Sequence, residues 1–345
     1  MERETDLIAS AETANDPGRG REAMAPREIP VEGWKDIFAR TRIEVKRDRA
    51  TMLSAAVAFH ALLAMAPALV AVVSLYGLIA DPSSIDRQVN DWLGTAPREV
   101  RELLSSQLES ISANAGTAAG LAVVMGIVVA LWSASNGIAH LIEATNIAYD
   151  EEETRGFVGR RGLALAMTVG AVVFVLFALA LITVLPAMLA DTGLGLIARV
   201  LVNVLRWVLL TVGMMMALSV LYRFAPDRDR PRWTWTSPGA LLATVLWVIA
   251  SACFALYTSN FGKYNQTYGS LGAVVVLMLW LFLTALCVIV GAELNAETER
   301  QTRQDSTQGA PLPLGSRDAE VADTVGATAD ELQASAESGV TNDDA

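Results

Sequence analysis

Cysteine, histidine and charge are scarce in this chain. Of 345 residues two are cysteine, two are histidine and 18% are Asp, Glu, Lys or Arg, against 53% hydrophobic. Cys253 and Cys287 both lie in apolar stretches, where lone thiols pack as small hydrophobes, so neither a disulfide framework nor a metal site is expected. The histidines, His60 and His140, are 80 residues apart, and no zinc-type His/Cys spacing, phosphate-binding lysine loop, dinucleotide glycine fingerprint or nucleophile elbow occurs. Without those signatures no catalytic residues and no cofactor are expected, and ATP-driven pumping would need another subunit. The first 50 residues lack an apolar core, so no cleavable signal peptide is expected and the first long apolar run should act as an uncleaved span.

Long apolar runs are what the chain does have. Residues 52–80, 115–142, 162–190, 200–222, 233–262 and 264–292 are free or nearly free of charge, and about 20 such residues in a helix cross a bilayer core. These runs predict an all-α integral membrane protein: a six-transmembrane-helix bundle over 31–296, with spans at about 52–80, 117–142, 163–190, 201–222, 237–259 and 270–292. Ser237 and Pro238 suit an N-cap and first helical position for the fifth span. Alternate loops carry 16 basic residues on the side of both termini and 6 on the other, which predicts that the N and C termini are cytoplasmic.

The net charge of −11 belongs to the ends. Residues 1–30 hold 4 basic and 7 acidic groups and residues 297–345 hold 3 and 11, leaving 19 of each between. Both acidic tails, poor in aromatics, are expected to be disordered. In 31–50, Trp34, Ile37, Phe38, Thr41 and Val45 form a stripe apart from Lys35, Arg42, Lys46 and Arg49, as in an amphipathic helix on an anionic membrane surface. In 82–112, two apolar stripes separated by Gly94 and Pro97 predict an external helical cap.

Polar groups at membrane depth are costly and normally face a partner or a wet cavity. Asn136, His140 and Glu143 share one helical face, with Asn136 about 12 Å deep at 1.5 Å per residue. His60 reaches a similar depth, and Glu293 and Asn295 end the last span on the same side. Two readings stay open. The six residues either line a cavity open to the cytoplasm, or they pair with one another and with backbone to lock helices together. Arg223, Arg228, Arg230 and Arg232 form a basic inner loop able to hold lipid phosphates, or they simply satisfy the positive-inside rule. The run Asp150 to Glu153, followed by Arg155, Arg160 and Arg161, reads as a solvated loop with internal ion pairs.

Several strings resemble the YihY/BrkB family of bacterial inner-membrane proteins: Ser54 to Leu63 with Ala66-Pro67, Leu131 to Asn136, Glu152 to Phe157, Tyr222 to Pro226, Tyr264 to Ala273 and Gly291 to Glu297. The resemblance covers roughly 31–300. It implies a six-helix protein of the inner membrane linked to envelope integrity, and one departure is His60, where the family pattern often has Tyr. The ribonuclease BN label given to some members fits poorly, because the sequence offers no soluble domain and no basic RNA-binding face. Membrane lipids, and a second copy of the chain, are therefore the expected partners, and nucleic acid is not. The expected function is a transporter or flippase for an anionic lipid or small metabolite, with a non-transporting envelope scaffold as the alternative.

Overall fold

A computed structural model describes residues 8–10, 12–79, 117–184, 195–259 and 270–343. Its helices are α1 (Val31–Arg47), α2 (Ala50–Ile79), α3 (Thr117–Ala148), α4 (Phe157–Leu179, continued by a π-helical turn, Ala180–Val184), α5 (Leu196–Phe224), α6 (Trp233–Ser259), α7 (Ser270–Glu299), α8 (Glu320–Asp323) and α9 (Ala329–Asp343). Among the described residues the only β pairings are two isolated bridges. Five helical stretches are long and apolar enough to cross a membrane: Met125–Ala148, Phe157–Ile182, Ala198–Phe224, Trp233–Thr258 and Val274–Glu299. The expected cap at 82–112 lies outside the described residues.

The long helices neighbour one another in the order α4, α3, α2, α7, α6, α5, with α5 returning to α4. Among the described residues their tight packing is concentrated at one end. There Ala148 and Tyr149 meet Leu218 and Tyr222 of α5, Ala240 and Ala243 of α6, and Val288 and Ala292 of α7. A second cluster joins Ala50 and Val57 of α2 to Ala144 of α3 and Ile289 of α7. Small residues let the backbones approach closely: a Cβ on Gly239 would collide with the Gly291 carbonyl and come within 2.6 Å of the Asn295 amide. Tyr222 donates to the Val288 carbonyl at 2.8 Å across the same region.

Two expectations need correction. Helix α6 starts at Trp233, so Ser237 is not its N-cap and Pro238 lies inside it. The extra turn is stabilised by side chains: Thr236 and Ser237 hydroxyls both donate to the Trp233 carbonyl at 3.0 Å, while Asn295 accepts from Gly239 N–H at 2.7 Å and donates to the Thr236 carbonyl at 3.2 Å.

The described parts of the tails are packed rather than disordered. Arg21, 1% exposed, donates to the carbonyls of Thr13, Gln301 and Gly326. Arg40, fully buried, bonds Glu297, Gln301 and the carbonyls of Glu297 and Ala327. A few arginines satisfied by carboxylates and carbonyls thus organise segments that are too polar to form an apolar core. The segment 297–343, here the C-terminal strap, lies against α1, the N-terminal segment and the loop 225–232.

Replacing Gly239 with Ala should cost about 1 to 3 kcal/mol through overpacking, seen as a lower thermal midpoint of the purified protein. An unchanged midpoint would show that α6 and α7 do not depend on this approach.

Candidate functional site

The six polar candidates fall into two sets, with no bond between the sets among the described residues. The first lies where α2, α3 and α4 meet. His60 and His140 stack with ring centroids 3.5 Å apart, and His60 Nδ1 sits 2.8 Å from the Ala56 carbonyl. His140 Nδ1 is 3.6 Å from Glu143, whose carboxylate accepts from Arg160 at 3.1 Å. Arg161 donates to Asn136 Oδ1 at 2.8 Å and to the Trp132 carbonyl, and its guanidinium lies 4.0 Å over the Trp132 ring. Arg160 is thereby neutralised, whereas Arg161 meets no carboxylate among the described residues. This seam opens outward: Asn136 is exposed and Trp132 is 45% exposed.

Arg160 and Arg161 were assigned by sequence to a solvated loop. They belong instead to the first turns of α4, which begins at Phe157, six residues before the expected span. The available signal was the run Gly156 to Gly162, whose two arginines are followed at once by an uninterrupted apolar stretch.

The second set lies at the end of α7. Asn295 is fully engaged with α6, as described above. Glu293, 1% exposed, has Oε1 without a hydrogen-bond partner and faces a group of carboxylates: Glu44 of α1, Asp48 of the α1–α2 corner, Glu297 of α7 and Asp150 of the α3–α4 corner. Three cations answer these five acids. Arg300 bonds Asp150 at 2.6 Å and Glu297 at 2.9 Å, Arg47 bonds Glu44 at 3.2 Å, and Arg40 pairs with Glu297. Burial, with Glu297 and Asp150 nearby, pushes the Glu44 carboxyl up to about 7; burial and Asp150 push Asp48 up to about 6. Both groups therefore hold protons more tightly when folded than when unfolded.

The basic inner loop is largely occupied by the chain itself. Arg228 pairs with Glu299 at 2.8 Å with both side chains buried. Arg223 bonds Gln308 and the Pro231 carbonyl, Arg232 donates to the Thr307 carbonyl at 3.1 Å, and Arg230 lies over the Phe224 ring. Arg223, Arg228 and Arg232 thus bond the strap and neighbouring backbone. The acidic loop is likewise tied down: Asp150 to Arg300, Glu151 to the backbone of Glu320, and Glu153 to Arg155 and Asn146. Both cysteines are free, and no group of three His, Cys, Asp or Glu among the described residues is arranged to hold a metal ion.

Several long apolar helices joined at a polar, arginine-laced end define an all-α protein that crosses a membrane several times. The sequence matches the virulence factor BrkB family over residues 42–313, and the chain belongs to that family. The ribonuclease-like protein YfkH of Bacillus subtilis (strain 168) is 32% identical over 272 residues, covering 76% of this chain and 93% of the relative. A UPF0761 membrane protein of Vibrio cholerae is 35% identical over 102 residues, 28% of this chain and 34% of that protein. One from Tolumonas auensis is 37% identical over 79 residues, 23% and 26% of the two chains. The chain thus spans about a third of the length of the first of these two relatives and about a quarter of the second. No solved structure matches.

The raised carboxyls set a pH dependence. Between its ordinary value of 4.5 and about 7, the Glu44 carboxyl binds more proton folded than unfolded, so its contribution to stability falls as pH rises through that window; Asp48 acts the same way between 3.8 and about 6. Glu331 opposes them at low pH. Burial alone would raise it, but hydrogen bonds from Thr328, Ser10 and Thr13 hold it at about 2, so its contribution is lost as pH falls below 4.5. Hydrogen-exchange protection of α1 and the strap should therefore peak at about pH 4 and decline toward pH 8. Protection that rises over the same range would contradict this assignment.

Proposed function

We propose that this is a transporter or flippase of the bacterial inner membrane that moves an anionic lipid or a small metabolite, with six spans and both termini cytoplasmic. One observation carries the reading: Arg161, inside an apolar helix, has no carboxylate partner among the described residues and faces an outward-opening seam. A cation left unpaired at membrane depth costs a few kcal/mol. A bound anion removes that cost, and the planar guanidinium suits phosphate or carboxylate.

The six-span count adds α2 to the five apolar stretches, because its 30 residues contain no charged side chain. The 16 against 6 basic residues in alternate connecting segments support the orientation, and apolar helical spans with that charge bias favour the inner membrane. No catalytic step belongs to this reading, although one relative bears a ribonuclease-like name.

In proteoliposomes, headgroup-labelled phosphatidylglycerol should cross with the wild-type protein. Arg161→Gln should slow it about tenfold, as expected for losing a charge-assisted contact, and Asn136→Ala should slow it less, with thermal midpoints unchanged. Absent flux of this lipid and of small organic anions through the wild type, with variants that lose abundance instead, would point to an envelope scaffold.

A further inference from the structure

Arg206 of α5 repeats the surroundings of Arg161 near the other end of α4. Its Nη2 donates to Asn203 Oδ1 at 2.6 Å, its guanidinium lies 5.6 Å from the Trp207 ring centroid, and Nη1 makes a long 3.5 Å contact to the Ile182 carbonyl in the π-helical turn that extends α4. Arg161 likewise has an asparagine oxygen, a tryptophan ring and a backbone carbonyl. In both arginines Nε is buried with no hydrogen-bond partner, and among the described residues neither forms an ion pair. Both lie within stretches apolar enough to span a membrane.

The spacing is informative. From residue 161 to residue 182 along α4 is about 30 Å at 1.5 Å per residue, close to the thickness of a bilayer core. The two cations therefore stand near its opposite faces. An arginine that merely snorkels extends its head to water, whereas both of these are folded back onto an asparagine and a tryptophan. Beside Arg206, residues Asn203, Val204, Trp207, Val208, Thr211 and Val212 line an open groove of 360 Å³. Apart from Asn203 and Thr211 this face is apolar, and Thr211 already donates to the Trp207 carbonyl at 2.9 Å. An unpaired cation beside an apolar groove is complementary to an anionic head on a hydrocarbon tail, and not to a free inorganic ion.

We propose that Arg206, Asn203 and Trp207 form a second phosphate-binding station for an anionic phospholipid, across the membrane from the Arg161 station, with an acyl chain along the groove. The inference rests on the transport reading and adds to it a second headgroup site in the opposite leaflet.

The test is native mass spectrometry of the full chain released from phosphatidylcholine nanodiscs containing graded phosphatidylglycerol. The wild type should retain two phosphatidylglycerol molecules, and Arg161→Gln and Arg206→Gln one each. The affinity of the lost site should fall about tenfold, and the double variant should retain none. Arg206→Lys keeps the charge and should fall between the wild type and Arg206→Gln. Unchanged phosphatidylglycerol retention in Arg206→Gln overturns the station, as does an equal loss of phosphatidylcholine, which would signal general damage. Parallel flux measurements separate the two ideas: two retained lipids with no flux sink transport and keep the station, while flux with retention indifferent to Arg206 does the reverse.

Discussion

The structure depends most on the desolvated guanidinium of Arg40. Out of water, an arginine needs its N–H groups matched, and the matching groups here come from three places in the chain: the Glu297 carboxylate and carbonyl, the Gln301 side chain and the Ala327 carbonyl. Gly326 lies so close that a Cβ there would collide with the guanidinium. Because α1 precedes the first span and α7 is the last long helix, this single group ties both ends of the chain to the bundle. Removing it would leave Glu297 buried with only Arg300 to answer its charge, a larger penalty than the net worth of the pair itself.

Two kinds of arginine follow from that comparison. Arg21, Arg40, Arg228, Arg300 and Arg317 are matched by carboxylates or carbonyls at the packed end. They act as rigid fasteners around the apolar clusters of that end. Arg161 and Arg206 lie over tryptophan rings within apolar stretches and form no ion pair among the described residues. The first kind fastens the architecture and the second carries the proposed anion sites, although composition counts them alike.

Much of the framework was legible in the sequence, because a run without charge forces the backbone to satisfy itself as helix. The runs ending near residues 142, 222 and 292 appear as helices that extend beyond the expected ends, and the stripe in 31–50 appears as a helix that stops at Arg47. The extensions were hidden because they are polar: Glu293 to Glu299 continues α7 only because Arg40, Arg228 and Arg300 receive its acids. The packed tails were hidden for the same reason, since net charge averages over the individual arginines that do the pairing. Counting residues put His60 at the depth of Asn136, and its ring meets that of His140, one turn further along the same face of α3. Glu293 ends the last span on the same side but faces another junction, because position along a helix says nothing about which neighbour a residue faces. Arg206, the lone charge in the run 200–222 with Asn203 one turn before it, was a signal within reach.

The fastening of the tails also sets an order of events during synthesis. All partners of Arg40, and those of Arg21 apart from the Thr13 carbonyl, lie 257 to 305 residues further along the chain. While the ribosome is still delivering the last helix those partners do not yet exist, and N-terminal elements form first. This packed end therefore closes as a latch once the last long helix has been delivered, and a nascent chain halted before residue 297 would carry the long helices with an unfastened α1.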